Sequence, residues 1–132
     1  MSTIQEGLVA YLEAQVPTAG KAYPLEVPQD ASYPAWSYQV IDDEQALSHG
    51  GAIKYYKARI QIDIVVQGTA SVGAYAKAAG LAGLMRTALD GYKGNMGTVP
   101  VKYCKTMQSD DWAELHNLPA ERLDVIVHYK ES

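Results

Sequence analysis

From residue 58 to residue 66, Ile60, Ile62, Ile64 and Val66 occupy alternate positions, with Arg59, Gln61 and Asp63 between them. Successive side chains of a strand point to opposite faces, so this period of two predicts a strand with one buried face and one polar face. The last apolar run repeats the pattern: Leu123, Val125, Val127 and Tyr129 alternate with Asp124, His128 and Lys130. Two shorter alternations predict further strands, one of Trp36, Tyr38 and Val40 against Ser37 and Gln39, the other of Val99, Val101 and Tyr103 against Lys102 and Cys104. The strand through Ile60 extends back to Ile53 or Lys54, about thirteen residues where five or six are usual, which predicts a long hairpin projecting from the body.

Two stretches change period. Ser2 followed by Gln5, or Thr3 followed by Glu6, forms a capping box that opens a helix with Ile4, Leu8, Tyr11 and Leu12 on one face, ended by Pro17 and Gly20. Residues 71–89 predict a second helix, with Val72, Tyr75, Ala76, Ala79, Leu84, Met85 and Leu89 near one stripe and a stop at Asp90-Gly91. Each of Gly73, Gly80 and Gly83 costs that helix up to about 1 kcal/mol relative to Ala. Close approach to the sheet is the expected compensation.

The connections are read from turn residues. Pro24 and Pro28 favour an edge or lead-in segment, since proline cannot donate to a ladder. Residues 42–51 are polar, acidic and end in Gly50-Gly51, predicting a long connection. Gly94, Gly97 and Pro100 mark a turn, and residues 108–119 predict a second long connection that contains Trp112. The resulting class is α+β in the order α-β-β-α-β-β: a mainly antiparallel sheet of four to five strands with two helices on one face.

A chain of 132 residues is enough for one domain, taken as residues 1–132, with a core of its own. Cys104 is the only cysteine, which excludes an intrachain disulfide and points to a reducing interior. The first twenty residues lack a basic segment followed by an apolar one, and no run reaches the ~18 apolar residues of a membrane span, so a soluble protein made in the cytoplasm, with no membrane partner, is expected. A formal charge of -4 disfavours tight binding to phosphate backbones. Ten Tyr, two Trp and no Phe favour surfaces that are apolar at one end and wet at the other, as at subunit contacts.

Catalytic chemistry finds no footing. His49, His116 and His128 have no pair at helix-face spacing for a metal, and His128 on the polar face of a strand reads as a solvated surface residue. Cys104 lacks a local activating motif and reads as a small buried residue. The clusters Asp42, Asp43, Glu44 and Asp110, Asp111, Glu114 do not match a calcium loop, and neither a phosphate-cradling glycine loop nor a nucleophile elbow is present. No catalytic, metal-binding or cofactor-binding residue is assigned.

Contact residues are better represented. Trp112 amid acidic neighbours is either a plug that folds back or an anchor for another protein. Lys54, Lys57 and Arg59 beside Tyr55 and Tyr56 form a small basic-aromatic patch of a kind that stacks on nucleic acid, although a solvated strand face fits the net charge better. The candidate interface is therefore Asp42, Asp43, Glu44, Lys54, Tyr55, Tyr56, Lys57 and Trp112.

In order and spacing the chain resembles the tail completion or tail terminator family of long-tailed phages. The matching features are the N-terminal helix, Tyr23-Pro24-Leu25 with Val27-Pro28-Gln29, and Pro34 before Trp36-Ser37-Tyr38-Gln39-Val40. They continue with Arg59-Ile60-Gln61-Ile62-Asp63-Ile64, the helix closing in Ala88-Leu89-Asp90-Gly91 with Gly94, and the terminal Leu-Asp-Val-Ile-Val-His-Tyr strand. The resemblance spans nearly the whole chain, and the acidic stretches depart from many relatives. It implies a small α+β virion protein, assembled in the bacterial host cytoplasm, that forms a ring, usually a hexamer, on the head-proximal end of the tail tube. Its partners would be further copies of itself, the tail tube protein and the head-tail connector protein, with DNA passing through the lumen without specific binding. Six copies at -4 each would carry -24, and Asp42, Asp43 and Glu44 on a channel-facing loop would repel that DNA. A head-tail connector or adaptor protein is the alternative, and a host α+β domain that binds a small molecule ranks third.

Overall fold

A computed structural model of the chain describes residues 3–25, 34–47, 54–66, 72–115 and 118–130; within these, side chains are described except at 45–47, 54, 72–75, 108–115 and 118–120. The elements in chain order are helix α1 (Ile4–Gln15), a 3-10 turn (Pro17–Ala19), strands β1 (Lys21–Pro24), β2 (Ala35–Leu47) and β3 (Lys54–Val65), helix α2 (Val72–Leu89), and strands β4 (Gly94–Met96), β5 (Val99–Leu115) and β6 (Leu118–Lys130). The strands form one six-stranded sheet in the order β1-β2-β3-β6-β5-β4. All neighbours are antiparallel except β1 and β2.

The α+β class and the mainly antiparallel sheet match the expectation; the strand count and element order do not. Six strands replace four to five because β1 and β4 are only four and three residues long, too short for an alternation to register. Two expected connections are strand instead. Residues 42–47 continue β2, and residues 108–115 continue β5, so both hairpins are long. At 42–44 the polarity belongs to a strand exposed to solvent, not to a loop.

The core lies between the helices and one face of the sheet. Ala58, Ile60, Ile62 and Ile64 of β3 join Leu123, Val125 and Val127 of β6 and Trp36 of β2 in a single buried cluster with Ile4, Leu8 and Leu12 of α1 and Leu81, Met85 and Leu89 of α2. Each of the leucine, isoleucine, valine and methionine side chains contributes about 1.5–3 kcal/mol by leaving water. Thr3 caps α1 by accepting from the Glu6 amide at 3.2 Å. The Tyr11 hydroxyl donates to the Ala88 carbonyl at 2.6 Å and fastens α1 to the end of α2.

Gly80 and Gly83 of α2 do not provide the expected close approach. A Cβ on Gly80 or Gly83 would meet nothing within 4 Å, so both face away from the sheet, and Ala76 and Leu84 are exposed with them. The buried stripe is Ala78, Leu81, Ala82, Met85 and Leu89, and the side of Gly73 lies outside the described positions. Close approach occurs at Gly7 of α1, where a Cβ would collide with the Met96 carbonyl oxygen of β4.

Candidate functional site

Register places the acidic triplet on both sides of the sheet. The pairing of β2 with β3 shifts between Val40 and Asp42, leaving Ile41 as an extra, half-exposed residue. Before the bulge the even-numbered residues Trp36, Tyr38 and Val40 pair with Ile64, Ile62 and Ile60; after it Asp42 pairs with Arg59 and Glu44 with Lys57 on the outer face. These four side chains line a shallow cleft of about 170 Å³ with Met107 and Ile126. Asp43 turns the other way, where its carboxylate accepts from the Tyr129 hydroxyl. The expected acidic loop is thus a strand segment, and its charges are set against cations and a phenol instead of standing alone.

The same end of the sheet gathers the tyrosines. Lys102 lies over the Tyr55 ring at 4.1 Å, Tyr56 stacks on Tyr129 at 5.2 Å between centroids, and Tyr103 stacks on His128 at 4.3 Å. A second bulge, between Val101 and Tyr103, accounts for Tyr103: the extra residue puts Tyr103 on the outer face at 47% exposure and turns Cys104 inward. The expected grouping of Tyr103 with Val99 and Val101 is reversed by that one residue. With Lys102 and His128 the four tyrosines line a cleft of about 230 Å³, smaller than the ~300 Å³ at which small-molecule pockets begin. Partial burial, then Lys57 and Lys102, push the His128 pKa down from its ordinary value, and the ring is half-buried against Tyr103 on the outer face where the sequence places it.

Farther along, the outer face is tied by ions across strands. Arg59 pairs with Asp124 at 2.8 Å and Arg122 with Asp63 at 2.9 Å. No described helix covers this face, and the paired charges keep it wet. Among the described residues no group of three His, Cys, Asp or Glu is placed to hold a metal ion. Cys104 is buried, and that burial, with Asp90 nearby, pushes its thiol up to about 12. No described helix is long and apolar enough to cross a membrane.

Of the candidate interface residues, Asp42, Asp43, Glu44, Tyr55, Tyr56 and Lys57 come together at one end of the sheet. Lys54 lies there by register, opposite Leu47, with its side chain outside the described positions. Trp112 is apart from them, on β5 and in register with Glu121 instead of on a loop; its choice between plug and anchor also falls outside the described side chains. So do His49 and His116.

Sequence reasoning missed the margin on the far side of the sheet. Asp90 is more than a helix stop: its carboxylate accepts from the Thr106 amide at 2.7 Å and hydroxyl at 2.8 Å, while the Gly91 amide donates to the Cys104 carbonyl, so this turn covers part of the β5 edge. Lys93, Lys102 and Lys105 follow with no acidic residue anywhere in 91–107, a signal that was available.

No family model matches the chain, and no curated protein matches it either. Among solved structures, the chain is similar to one from the virion of a native gene transfer agent (GTA) particle, at 15% identity and a TM-score of 0.47, over 92% of this chain and 86% of that one.

Proposed function

We propose that the protein is a structural component of a phage-type virion, a ring-forming subunit that caps the head-proximal end of a tail tube, ends tube polymerisation and offers the docking surface for the head connector. The observation that carries this reading is the sheet itself. Its four central strands run 12 to 17 residues, and among the described residues both lateral edges are unpaired over much of their length. Such edges are templates for pairing between chains and are normally shortened or covered in proteins that act alone. The order of sequence features supports the particular role by its resemblance to the tail terminator family. The work is non-enzymatic: it consists of matching one surface to the tube and another to the connector.

Deletion of the gene in its native particle, followed by electron microscopy of the lysate, tests the role. Over-long tails separated from filled heads are expected. Tails of normal length beside heads that lack them would assign the chain to the connector instead.

A further inference from the structure

We propose that neighbouring copies join side to side, with the acidic free margin of β2 in one copy seated against the lysine-bearing β4–β5 margin of the next. This deepens the ring reading and rests on it for closure of the ring, whereas the contact itself rests on register and charge.

β1 covers β2 only as far as Tyr38, where the Leu25 amide makes the last hydrogen bond, at 2.8 Å. Among the described residues no strand lies beside residues 39–47 on the side away from β3. That stretch carries Asp42, Asp43 and Glu44 and neither Lys nor Arg. The opposite margin, residues 91–107, carries Lys93, Lys102 and Lys105 and neither Asp nor Glu, Asp90 standing just before it. With Asp43 held by Tyr129 and Lys102 over Tyr55, the charges left facing outward are Asp42 and Glu44 on one margin, beside Arg59 and Lys57 of β3, and Lys93 and Lys105 on the other.

Register puts the two margins at the same end. Asp42 and Glu44 pair with Arg59 and Lys57 of β3; these pair with Ile126 and His128 of β6, which pair with Lys105 and Tyr103 of β5. Asp42, Glu44, Lys93 and Lys105 are all exposed, and among the described residues none of the four forms an ion pair within the chain. Either margin against its own copy opposes like charges, which disfavours a two-fold contact; acid against base favours a head-to-tail contact that repeats from copy to copy. The β2 main chain at 39–47, unpaired on this side among the described residues, adds hydrogen-bonding capacity at the same place. Charge on an edge strand also serves to prevent association, and the experiment separates these uses.

A zero-length carbodiimide reagent joins a carboxylate to an amine only where the two touch. Treating a concentrated mixture of isotope-labelled and unlabelled full-length protein and mapping the mixed products by mass spectrometry is expected to give interchain links from Asp42 or Glu44 to Lys93 or Lys105. Glu44→Lys or Lys105→Glu alone should cut their yield about tenfold, and the double variant Glu44→Lys/Lys105→Glu should restore it, with positions 44 and 105 linked again and the amine and carboxylate exchanged between them. Absence of interchain links, links outside these margins, or a yield indifferent to single reversal overturns the proposal. These outcomes are independent of tail length: normal tails in the deletion experiment with the links present reject the capping role alone, and over-long tails without the links reject this contact alone.

Discussion

The Tyr129 hydroxyl donates to both carboxylate oxygens of Asp43, at 2.9 and 2.8 Å, reaching from β6 to β2 over the intervening β3. The reach exists because the Ile41 bulge shifts the phase of β2 and turns Asp43, in place of its neighbours, toward the tyrosine.

That bond makes a pH-dependent contribution. Burial first, and the bond to Asp43 second, raise the Tyr129 pKa from its ordinary 10.0. A group whose pKa is raised by folding contributes fully below its unfolded value and loses that contribution as pH climbs through the folded one. Tyr129→Phe is therefore expected to lower the unfolding free energy by about 1 kcal/mol at pH 7. The gap should narrow above pH ~10, where the unfolded tyrosine ionises. Urea titrations of both proteins at neutral and alkaline pH check this; a gap that is constant with pH counts against it.

Asp90→Ala removes the acceptor of the buried Thr106 amide and hydroxyl. Leaving those donors unmet is expected to cost about 1–3 kcal/mol. Asp90→Asn keeps a carbonyl oxygen in place and should lose less. Equal stability of the alanine variant and the parent in chemical denaturation would show that the turn does not secure the β5 edge.

Gly80→Ala and Gly83→Ala should each stabilise the protein, by up to about 1 kcal/mol, because a methyl group there meets nothing and alanine is the better helix former. Gly7→Ala should do the opposite, since its methyl collides with the Met96 backbone. Thermal melts of the three variants give the signs directly.

Cys104 should resist thiol reagents in the folded protein at pH 8 and react fully once unfolded by urea. Its thiol is buried and its pKa is pushed up to about 12, so the reactive thiolate is scarce. Rapid labelling of the native protein would mean that the β5 region opens readily.

Where one period holds, as along Ile60 to Ile64 and Leu123 to Val127, the strands and their buried faces are legible in the sequence. The caps at Thr3 and Gly91 are legible for the same reason: a short local pattern with one physical cause. Asp42 to Glu44 mislead because acidity is a usual sign of a loop, although a strand exposed on its outer face and, among the described residues, free at its edge tolerates the same residues; the stretch around Trp112 misleads by the same sign, being strand as well. Gly80 and Gly83 mislead because a glycine looks the same in sequence whether it makes room or merely leaves it. The candidate site is half visible. Asp42, Glu44, Tyr55 and Lys57 are local to two neighbouring strands, whereas Lys93 and Lys105 gain meaning only once the sheet order sets them opposite those acids.

The bulges at Ile41 and in β5 act as phase shifters within otherwise continuous strands. One inserted residue lets a strand bury one parity of side chains beside the helices and the other parity beyond. Deleting Lys102 should take the bulge out and leave Tyr103 opposite His128 and Cys104 opposite Val127, so a single codon can be lost or gained at this point without changing which side of the sheet either residue shows. The margin can in that way diversify toward new neighbours without any repacking of the core that carries it.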